Sequence, residues 1–269
     1  ALDCGINFFD HADIYGGGKS EELFGEVLEK HPEYREKMII QTKCAIVPGK
    51  RYDFSKEYII NAVNGSLERL HTDHVEILLL HRPDALCDPE EVAEAFDELY
   101  VSGKVKYFGV SNHTPGQIAL LQKYTKHPII INQLQLSIVH SVMIDSGMNM
   151  NMKEDFAIDK DGGVLDYCRL NDITIQAWSI VQASWAEGTF LNHPDYKKLN
   201  DVLDDLSKKY NVTPATIATA WILRHPAHIQ AITGTTSPKH LIETAEAVNI
   251  QLTRQEWYDL YLASGKPLP

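Results

Sequence analysis

The chain has 269 residues, 44% of them hydrophobic, which is enough for one large domain or two small ones with a substantial core. Its 25 basic and 37 acidic residues give a formal net charge of −12, which argues against a nucleic-acid or anionic-membrane surface and favours a small-molecule partner. The four cysteines lie far apart, without metal-ligand or redox spacing, and no apolar run approaches the ~18 residues of a membrane span. We therefore expect a cytoplasmic protein with reduced thiols, no membrane association and no metal site.

Short apolar runs alternate with amphipathic segments through the first half of the chain. The runs predict strands at residues 6–9, 38–43, 75–80 and 105–110. Three of the helices that follow have a polar residue that can cap the first turn, namely Ser20, Asp88 before Pro89, and Thr114 before Pro115. The other helix, after the second strand, is predicted from apolar residues on one face, namely Ile59, Val63, Leu67 and Leu70. The first half therefore predicts four strand–helix units.

The second half repeats the pattern after one interruption. A fifth strand is predicted at residues 129–133, and about two dozen residues without a clear pattern follow, which is typical of a lid or a disordered loop. A helical run from Val164, strands at 173–179 and 229–232, and a helix starting at Thr213-Pro214 come next. Ser237-Pro238 and the Thr253–Glu256 pair then predict the starts of two last helices.

Apolar strands that alternate with amphipathic helices predict a parallel sheet with a helical cover. An open doubly wound sheet and a (β/α)₈ TIM barrel both satisfy this pattern. No strand is followed by the G-x-G-x-x-G fingerprint of the open dinucleotide-binding sheet, and the units are uniform, so the α/β fold class expected is a single TIM-barrel domain over residues 1–269. Only seven strands are predicted and the chain starts like the tail of a helix, so we expect the first strand and an N-terminal hairpin to be missing from this sequence.

In a barrel of this kind, catalytic groups lie at the carboxyl ends of the strands. An acid, a phenol, a lysine and a histidine occupy the first such positions, namely Asp10, Tyr15, Lys43 and His81. A free phenol has a pKa of about 10 and exchanges protons at neutral pH only if a nearby cation favours its anion. We expect Lys43 to supply that charge, Asp10 to keep the lysine protonated, and His81 to donate a hydrogen bond to a substrate oxygen.

Several motifs together resemble one known family. They are FDHADIYG at residues 9–16, Lys43 closing its strand, LHRP at 80–83, GKVKYFGVSN at 103–112, Asn132-Gln133, and ITGTTSP at 232–238. From end to end the chain resembles the aldo-keto reductases, NADPH-dependent reductases of aldehydes and ketones. Any single motif would be weak, whereas the set is highly specific.

The resemblance implies a role for each of the matching residues. Tyr15 would be the general acid, Lys43 and Asp10 would tune it, and His81 would orient the carbonyl. Ser111, Asn112 and Gln133 would hold the nicotinamide carboxamide, Trp178 would stack on the ring, and the diphosphate would pass Ser179. The adenosine 2′-phosphate would contact the helix start at Gly234, Thr235, Thr236 and Ser237, and His240 and Glu243 would contact this phosphate and the adenine.

Two departures from the family pattern bear on the cofactor. Gly234 stands where some branches place a lysine against the 2′-phosphate, and Thr244 replaces an asparagine often seen at the adenine. NADP(H) is therefore the expected cofactor, with NAD(H) as the competing one. The substrate depends on the loops at residues 140–163 and 182–198, and the sequence is compatible with a monomer.

Two other functions remain open at this point. Lys43 could form a Schiff base in an aldolase or isomerase on a barrel. The chain could also be a regulatory protein that binds NADPH without catalysis. His11 adjoins Asp10, but strand alternation predicts that its ring packs outside the barrel.

Overall fold

The structure is a computed structural model that describes residues 1–184 and 186–268. The chain divides into two compact units. The first unit contains residues 7–132 and 170–173, and the second contains residues 1–6, 133–169 and the chain from Thr174 onward.

The first unit consists of parallel strands separated by helices. Its strands are β1 (Phe8–Asp10), β2 (Ile39–Cys44), β3 (Ile46–Val47), β4 (Arg51–Tyr52), β5 (Val75–Leu80), β6 (Val105–Ser111) and β7 (Ile129–Gln135), the last of which continues into the second unit. Its helices are α1 (Lys19–Lys30), α2 (Lys56–Arg69), α3 (Pro89–Val101) and α4 (Pro115–Tyr124). Strands β1, β2, β5 and β6 pair in parallel in that order, and β3 and β4 form a short antiparallel hairpin.

The strands of the first unit are buried along most of their length. In β5 every residue except Glu76 is buried, as expected for a parallel strand covered on both faces. Ile77, Leu79 and Ile131 form a buried apolar cluster against which Phe8 and Ile39 pack. The predicted alternation of buried strands and amphipathic helices is therefore confirmed for this unit.

Local signals set most helix starts in the first unit, with one exception. Thr114 and Gln117 form a complete capping box at α4, and Asp88 accepts a hydrogen bond from the backbone N–H of Glu90 at α3. The prediction that Ser20 caps α1 is wrong, because the helix begins at Lys19 with Gly18 as its cap, two residues before the predicted one. Gly18 has φ of 93°, a left-handed conformation that glycine adopts without strain, so the backbone itself turns into the helix.

The second unit contains the remaining elements. They are α5 (Val142–Met148), α6 (Val164–Leu170), β8 (Thr174–Trp178), β9 (Gln182–Ser184), β10 (Gly188–Thr189), α7 (Lys197–Tyr210), α8 (Pro214–Leu223), β11 (Gln230–Ala231), α9 (Pro238–Ala245) and α10 (Arg254–Ala263). Strand β11 pairs in parallel with β8, and β9 pairs antiparallel with β10. The segment predicted to be a lid or a disordered loop contains α5 and a 3₁₀ turn at Asp155–Ala157, so part of it is helical.

Two tryptophans hold the helices of the second unit together. Trp221 on α8 and Trp257 on α10 stack with ring centroids 4.7 Å apart, and each indole N–H donates to the other residue's carbonyl at 3.0 Å. The predicted caps Thr213, Ser237 and Thr253 all accept backbone N–H bonds at their helix starts, so these predictions are confirmed. Within the described residues, every helix is too short or too polar to cross a membrane.

Candidate active site

The first unit brings three of the predicted catalytic side chains into direct contact. Lys43 Nζ lies 2.7 Å from Asp10 Oδ2 and donates to Tyr15 Oη at 3.2 Å. The ammonium also donates to the carbonyl of His11 at 2.7 Å. An ammonium has three N–H donors, so all of them have acceptors and Lys43 is held as a cation beside the phenol.

Strand geometry places these groups. Asp10 and Gln41 are register partners on β1 and β2, and Lys43 lies two residues beyond Gln41 on the same face. The Lys43 side chain is 0% exposed, so its charge acts on the phenol with little screening by water.

A glycine-rich turn presents the tyrosine. Tyr15 starts a 3₁₀ turn that continues through Gly16, Gly17 and Gly18, and these glycines have φ of 60°, 66° and 93°. Residues with a Cβ rarely adopt such angles, which explains the run of three glycines. The Tyr15 side chain is exposed enough to meet a substrate, in contrast to the buried lysine.

His81 follows β5 and meets Tyr15 edge to face, with ring centroids 5.8 Å apart. Burial, together with the nearby charge of Lys43, lowers the pKa of His81 to about 3. The ring is therefore neutral at physiological pH and carries one N–H. Its Nδ1 is buried without a hydrogen-bond partner among the described residues. A neutral imidazole protonated at Nε2 can donate one hydrogen bond to a substrate oxygen, but it is not a source of protons.

Gln41 belongs to the site and was not predicted from the sequence. Its amide nitrogen donates to Asp10 Oδ1 at 2.5 Å, so both carboxylate oxygens of Asp10 have donors. The signal that could have identified it is its spacing, because a glutamine two residues before Lys43 on a strand lies on the same face.

Asp13 is a second acidic group near the turn. Its backbone N–H donates to the Lys43 carbonyl at 3.0 Å, and its Oδ1 is buried without a partner in the described part of the chain. Burial and the nearby charge of Glu21 raise the pKa of Asp13 to about 7. His11 packs its ring edge-on against Phe24 with centroids 4.5 Å apart, which agrees with the predicted position outside the sheet.

The predicted nicotinamide ligands divide between the units. In the first unit Ser111 ends β6, and Asn112 follows in a left-handed conformation with φ of 59° and donates to the Ser111 hydroxyl at 2.8 Å. In the second unit Gln133 Nε2 donates to Gln176 Oε1 at 3.0 Å, and Gln176 Nε2 donates to Gln230 Oε1 at 2.9 Å. This hydrogen-bonded row fixes the orientation of the Gln133 amide. Trp178 ends β8.

The second unit contains a cleft beside the start of α9. It has a volume of about 430 Å³ and is lined by five of the predicted ligands, namely Ser179, Gly234, Thr235, His240 and Glu243. Ser179 has φ of 57° and donates to Gln182 Oε1 at 2.9 Å. Ser237 caps α9, so the positive end of that helix dipole opens at the same loop. Thr236 belongs to this loop but not to the cleft lining.

Lys239 is a further cation at the start of α9 that sequence reasoning missed. It lies within 3.7 Å of Glu243 and is highly exposed. An exposed lysine in the first turn adds positive charge next to the helix start, where an anion would bind.

Known proteins resemble this chain along its length. A profile of the Aldo/keto reductase family matches residues 1–261. A 6-dehydroglucose reductase from Novosphingobium aromaticivorans is 37% identical over 100% of this chain and 85% of its own length. The solved structure of a thermostable aldo-keto reductase, Tm1743, is 26% identical, has a TM-score of 0.77, and the alignment covers 97% of this chain and 84% of that one. An aldo/keto reductase from Klebsiella pneumoniae, solved with NADP and acetate, is 22% identical with a TM-score of 0.76, over 99% of this chain and 83% of its own.

These similarities first define the class: the protein is an oxidoreductase of the α/β fold class, with the fold of solved aldo-keto reductases, as the sequence predicted. The chain belongs to the Aldo/keto reductase family, which confirms the resemblance drawn from its motifs.

Proposed function

We propose that the protein reduces an aldehyde or ketone to an alcohol with NADP(H), using Tyr15 as the proton donor. The observation that carries this proposal is the contact of 3.2 Å between the Tyr15 hydroxyl and the buried Lys43 ammonium, which Asp10 holds from its other side. A cation at this distance stabilises the phenolate that forms when the proton leaves.

NADP(H) as the cofactor is supported by the cleft at α9 and by the Klebsiella relative, whose solved structure contains NADP. When bound, the nicotinamide supplies the hydride that reduces the carbonyl carbon. Gly234, Thr235, Thr236 and Ser237 would hold the 2′-phosphate, and His240 with Lys239 would add positive charge when the imidazole is protonated. Phosphate recognition by this loop favours NADP(H) over NAD(H).

The chain's own residues would handle the proton and the substrate oxygen. Tyr15 transfers its hydroxyl proton to the carbonyl oxygen, so the phenol becomes a phenolate and the substrate becomes an alcohol. Lys43 remains an ammonium throughout and stabilises the phenolate. Neutral His81 donates its N–H to the same oxygen and keeps the carbonyl in reach of Tyr15.

The geometry disfavours the Schiff-base alternative. A lysine that attacks a carbonyl must be neutral and accessible. Lys43 is 0% exposed, and all three of its N–H donors are engaged by Asp10, His11 and Tyr15. Its position suits a fixed charge better than a nucleophile.

For the substrate we propose a carbonyl on a polar, sugar-like molecule. The support is the relative at 37% identity, which is named a 6-dehydroglucose reductase. Oxidised sugars therefore belong at the head of any substrate panel, beside simple reactive aldehydes.

The test is a comparison of wild type with Tyr15→Phe. The wild-type protein is titrated with NADPH and NADH by nucleotide fluorescence and then assayed on the carbonyl panel. Tyr15→Phe should lose at least about a hundredfold in turnover while its NADPH affinity stays within about twofold, because only the transferable proton has been removed.

Tyr107→Phe is the matched control, since Tyr107 is a half-exposed tyrosine on β6 outside the catalytic group. Turnover by Tyr15→Phe at the wild-type rate would overturn the mechanism. Tight NADPH binding without oxidation on any carbonyl would instead indicate the regulatory, non-catalytic protein.

A further inference from the structure

Glu21 is a fully buried carboxylate that the proposed reaction does not use. It lies in the first turn of α1, directly after the glycine turn that carries Tyr15, and it is 0% exposed. A buried charge is costly unless it is paired and hydrogen-bonded, so its partners show what it stabilises.

Two elements donate to Glu21 from different sides. The Thr42 hydroxyl on β2 donates to Oε1 at 2.5 Å. Arg69, the last residue of α2, approaches Oε2 with its Nε at 2.9 Å and its Nη2 at 2.8 Å. The carboxylate therefore joins the start of α1, the middle of β2 and the end of α2.

Thr42 immediately precedes Lys43, and the two side chains leave β2 on opposite faces. Lys43 contacts Asp10 and Tyr15 on one face, whereas Thr42 contacts Glu21 on the other. A bond to Thr42 thus fixes the backbone of β2 directly behind the catalytic ammonium.

Arg69 lies in a space that three glycines leave open. A Cβ on Gly18 would lie 3.0 Å from Arg69 Cδ, and a Cβ on Gly65 would lie 3.0 Å from Nη1. At Gly25 a Cβ would lie only 2.2 Å from the Arg69 carbonyl oxygen. Gly18 ends the turn that presents Tyr15, so the guanidinium packs against that turn as well as against Glu21.

We propose that Glu21, with Thr42 and Arg69, is a positioning group that sets the contact between the Tyr15 phenol and the Lys43 ammonium. The Glu21 carboxylate connects the turn that carries Tyr15 to the strand that carries Lys43. The proposal rests on the proposed function for the roles of Tyr15 and Lys43. None of the three residues is itself a catalytic residue.

Thr42→Val is the main test, because it removes one hydroxyl without leaving a buried charge unpaired. We expect kcat to fall about tenfold, NADPH affinity to stay within about twofold, and the alkaline limb of the kcat pH profile to move to higher pH, since the phenol loses its close cation. Thr42→Ser keeps the hydroxyl and should restore both the rate and the profile.

Thr219→Val in α8 is the matched control. Thr219 is also buried and donates to a backbone carbonyl, that of Ala215, at 2.9 Å. The Thr219→Val substitution should lower thermal stability without moving the pH profile of kcat. If Thr42→Val and folded Glu21→Gln both keep the wild-type kcat and profile, or if Thr219→Val shifts the profile equally, the proposal is overturned. Should Glu21→Gln fail to fold, Thr42→Val decides alone.

A second readout separates this proposal from the proposed function. The Tyr15 phenol can be titrated by ultraviolet difference spectroscopy against Tyr15→Phe, without substrate or nucleotide. If no carbonyl is reduced by the wild type, the proposed function fails. A shift of the phenol titration to higher pH in Thr42→Val, absent in Thr219→Val, would still support the positioning group, and an unchanged titration would overturn it.

Discussion

The charge state of His81 determines what this residue can contribute to the reaction. Burial and the neighbouring ammonium lower its pKa to about 3, so it stays neutral across the physiological range. A histidine, elsewhere a common general acid or base, is thus restricted here to a hydrogen-bond donor, which is the role expected from the sequence. This agrees with the proposed function, in which Tyr15 donates the proton.

Substitutions at His81 can test this restriction. His81→Gln keeps an N–H donor and should retain more activity than His81→Ala, which should lose about 10²–10³-fold in kcat as removal of an oxyanion donor typically does. The kcat pH profile should show no limb from His81 between about pH 5 and pH 8. An acid limb in that range that disappears in His81→Gln would contradict the neutral imidazole.

Asp13 makes the stability of the protein depend on pH. Its pKa is raised from 3.8 to about 7, so between these values the folded protein binds a proton that the unfolded chain does not. Stability from this group is present below about pH 4 and is lost as the pH rises through 7. Asp13→Asn removes the titration and should gain about 2–4 kcal/mol in unfolding free energy relative to wild type between about pH 4 and pH 8.

Urea unfolding of the two proteins across this pH range measures that difference. Asp53→Asn is a useful control, because burial alone would raise the pKa of Asp53, but the hydrogen bonds from Ser55 and Arg51 together hold it below its usual value. The difference in unfolding free energy between wild type and Asp53→Asn should therefore change with pH in the opposite direction. A constant difference between wild type and Asp13→Asn would show that the Asp13 carboxyl does not titrate in this window.

At the scale of elements, the contact between α1 and the end of α2 depends on Gly25. Helix propensity alone predicts that Gly25→Ala stabilises the protein by about 1 kcal/mol. The added Cβ would lie 2.2 Å from the Arg69 carbonyl oxygen and 2.9 Å from the Leu70 carbonyl carbon, and both are backbone atoms that cannot move aside. We therefore expect Gly25→Ala to destabilise the protein by about 2–3 kcal/mol in chemical denaturation.

Gly116→Ala in α4 provides the comparison. A Cβ there meets no atom within 4 Å among the described residues, so the same substitution should be neutral or stabilising by up to about 1 kcal/mol. Equal effects at the two glycines would mean that α1 can shift away from α2.

Element prediction succeeded where the signal is local. The Thr114 and Thr253 capping boxes and the strand at Val75–Leu80 have the positions read from the sequence. The hairpins β3–β4 and β9–β10 were missed because strands of two or three residues show no periodicity. The prediction of Ser20 as the cap of α1 was wrong because a glycine with positive φ starts this helix, and a glycine has no polar side chain by which a cap could be recognised.

At the scale of the whole molecule, the net charge of −12 bears on the capture of the cofactor. NADPH is an anion, and the summed field of the protein repels it over distances up to the screening length, which becomes shorter as salt is added. We expect the association rate of NADPH, measured by stopped-flow fluorescence, to rise by about two- to threefold between low and physiological salt. An association rate that falls with salt would show that positive charge near the cleft, such as that of Lys239, outweighs the negative net charge of the protein.

The family and the fold class could be predicted from the whole sequence because many short motifs agree. The contact of Asp10, Lys43 and Tyr15 could also be anticipated, since strand ends converge in a parallel sheet. The link from Glu21 to Arg69 could not, because the two residues are 48 positions apart and nothing local marks their approach. The same is true of Gln41, whose partner depends on the register between two strands.

Arg69 and the glycines at 18, 25 and 65 limit which substitutions this part of the chain can accept during evolution. A larger residue at any of the three would meet the arginine or its backbone, and loss of the arginine would leave Glu21 without its charge partner. A single substitution at any of these positions is therefore expected to destabilise the protein, whereas simultaneous replacements at several of them could be tolerated. In a set of homologous sequences, these positions should vary together or not at all.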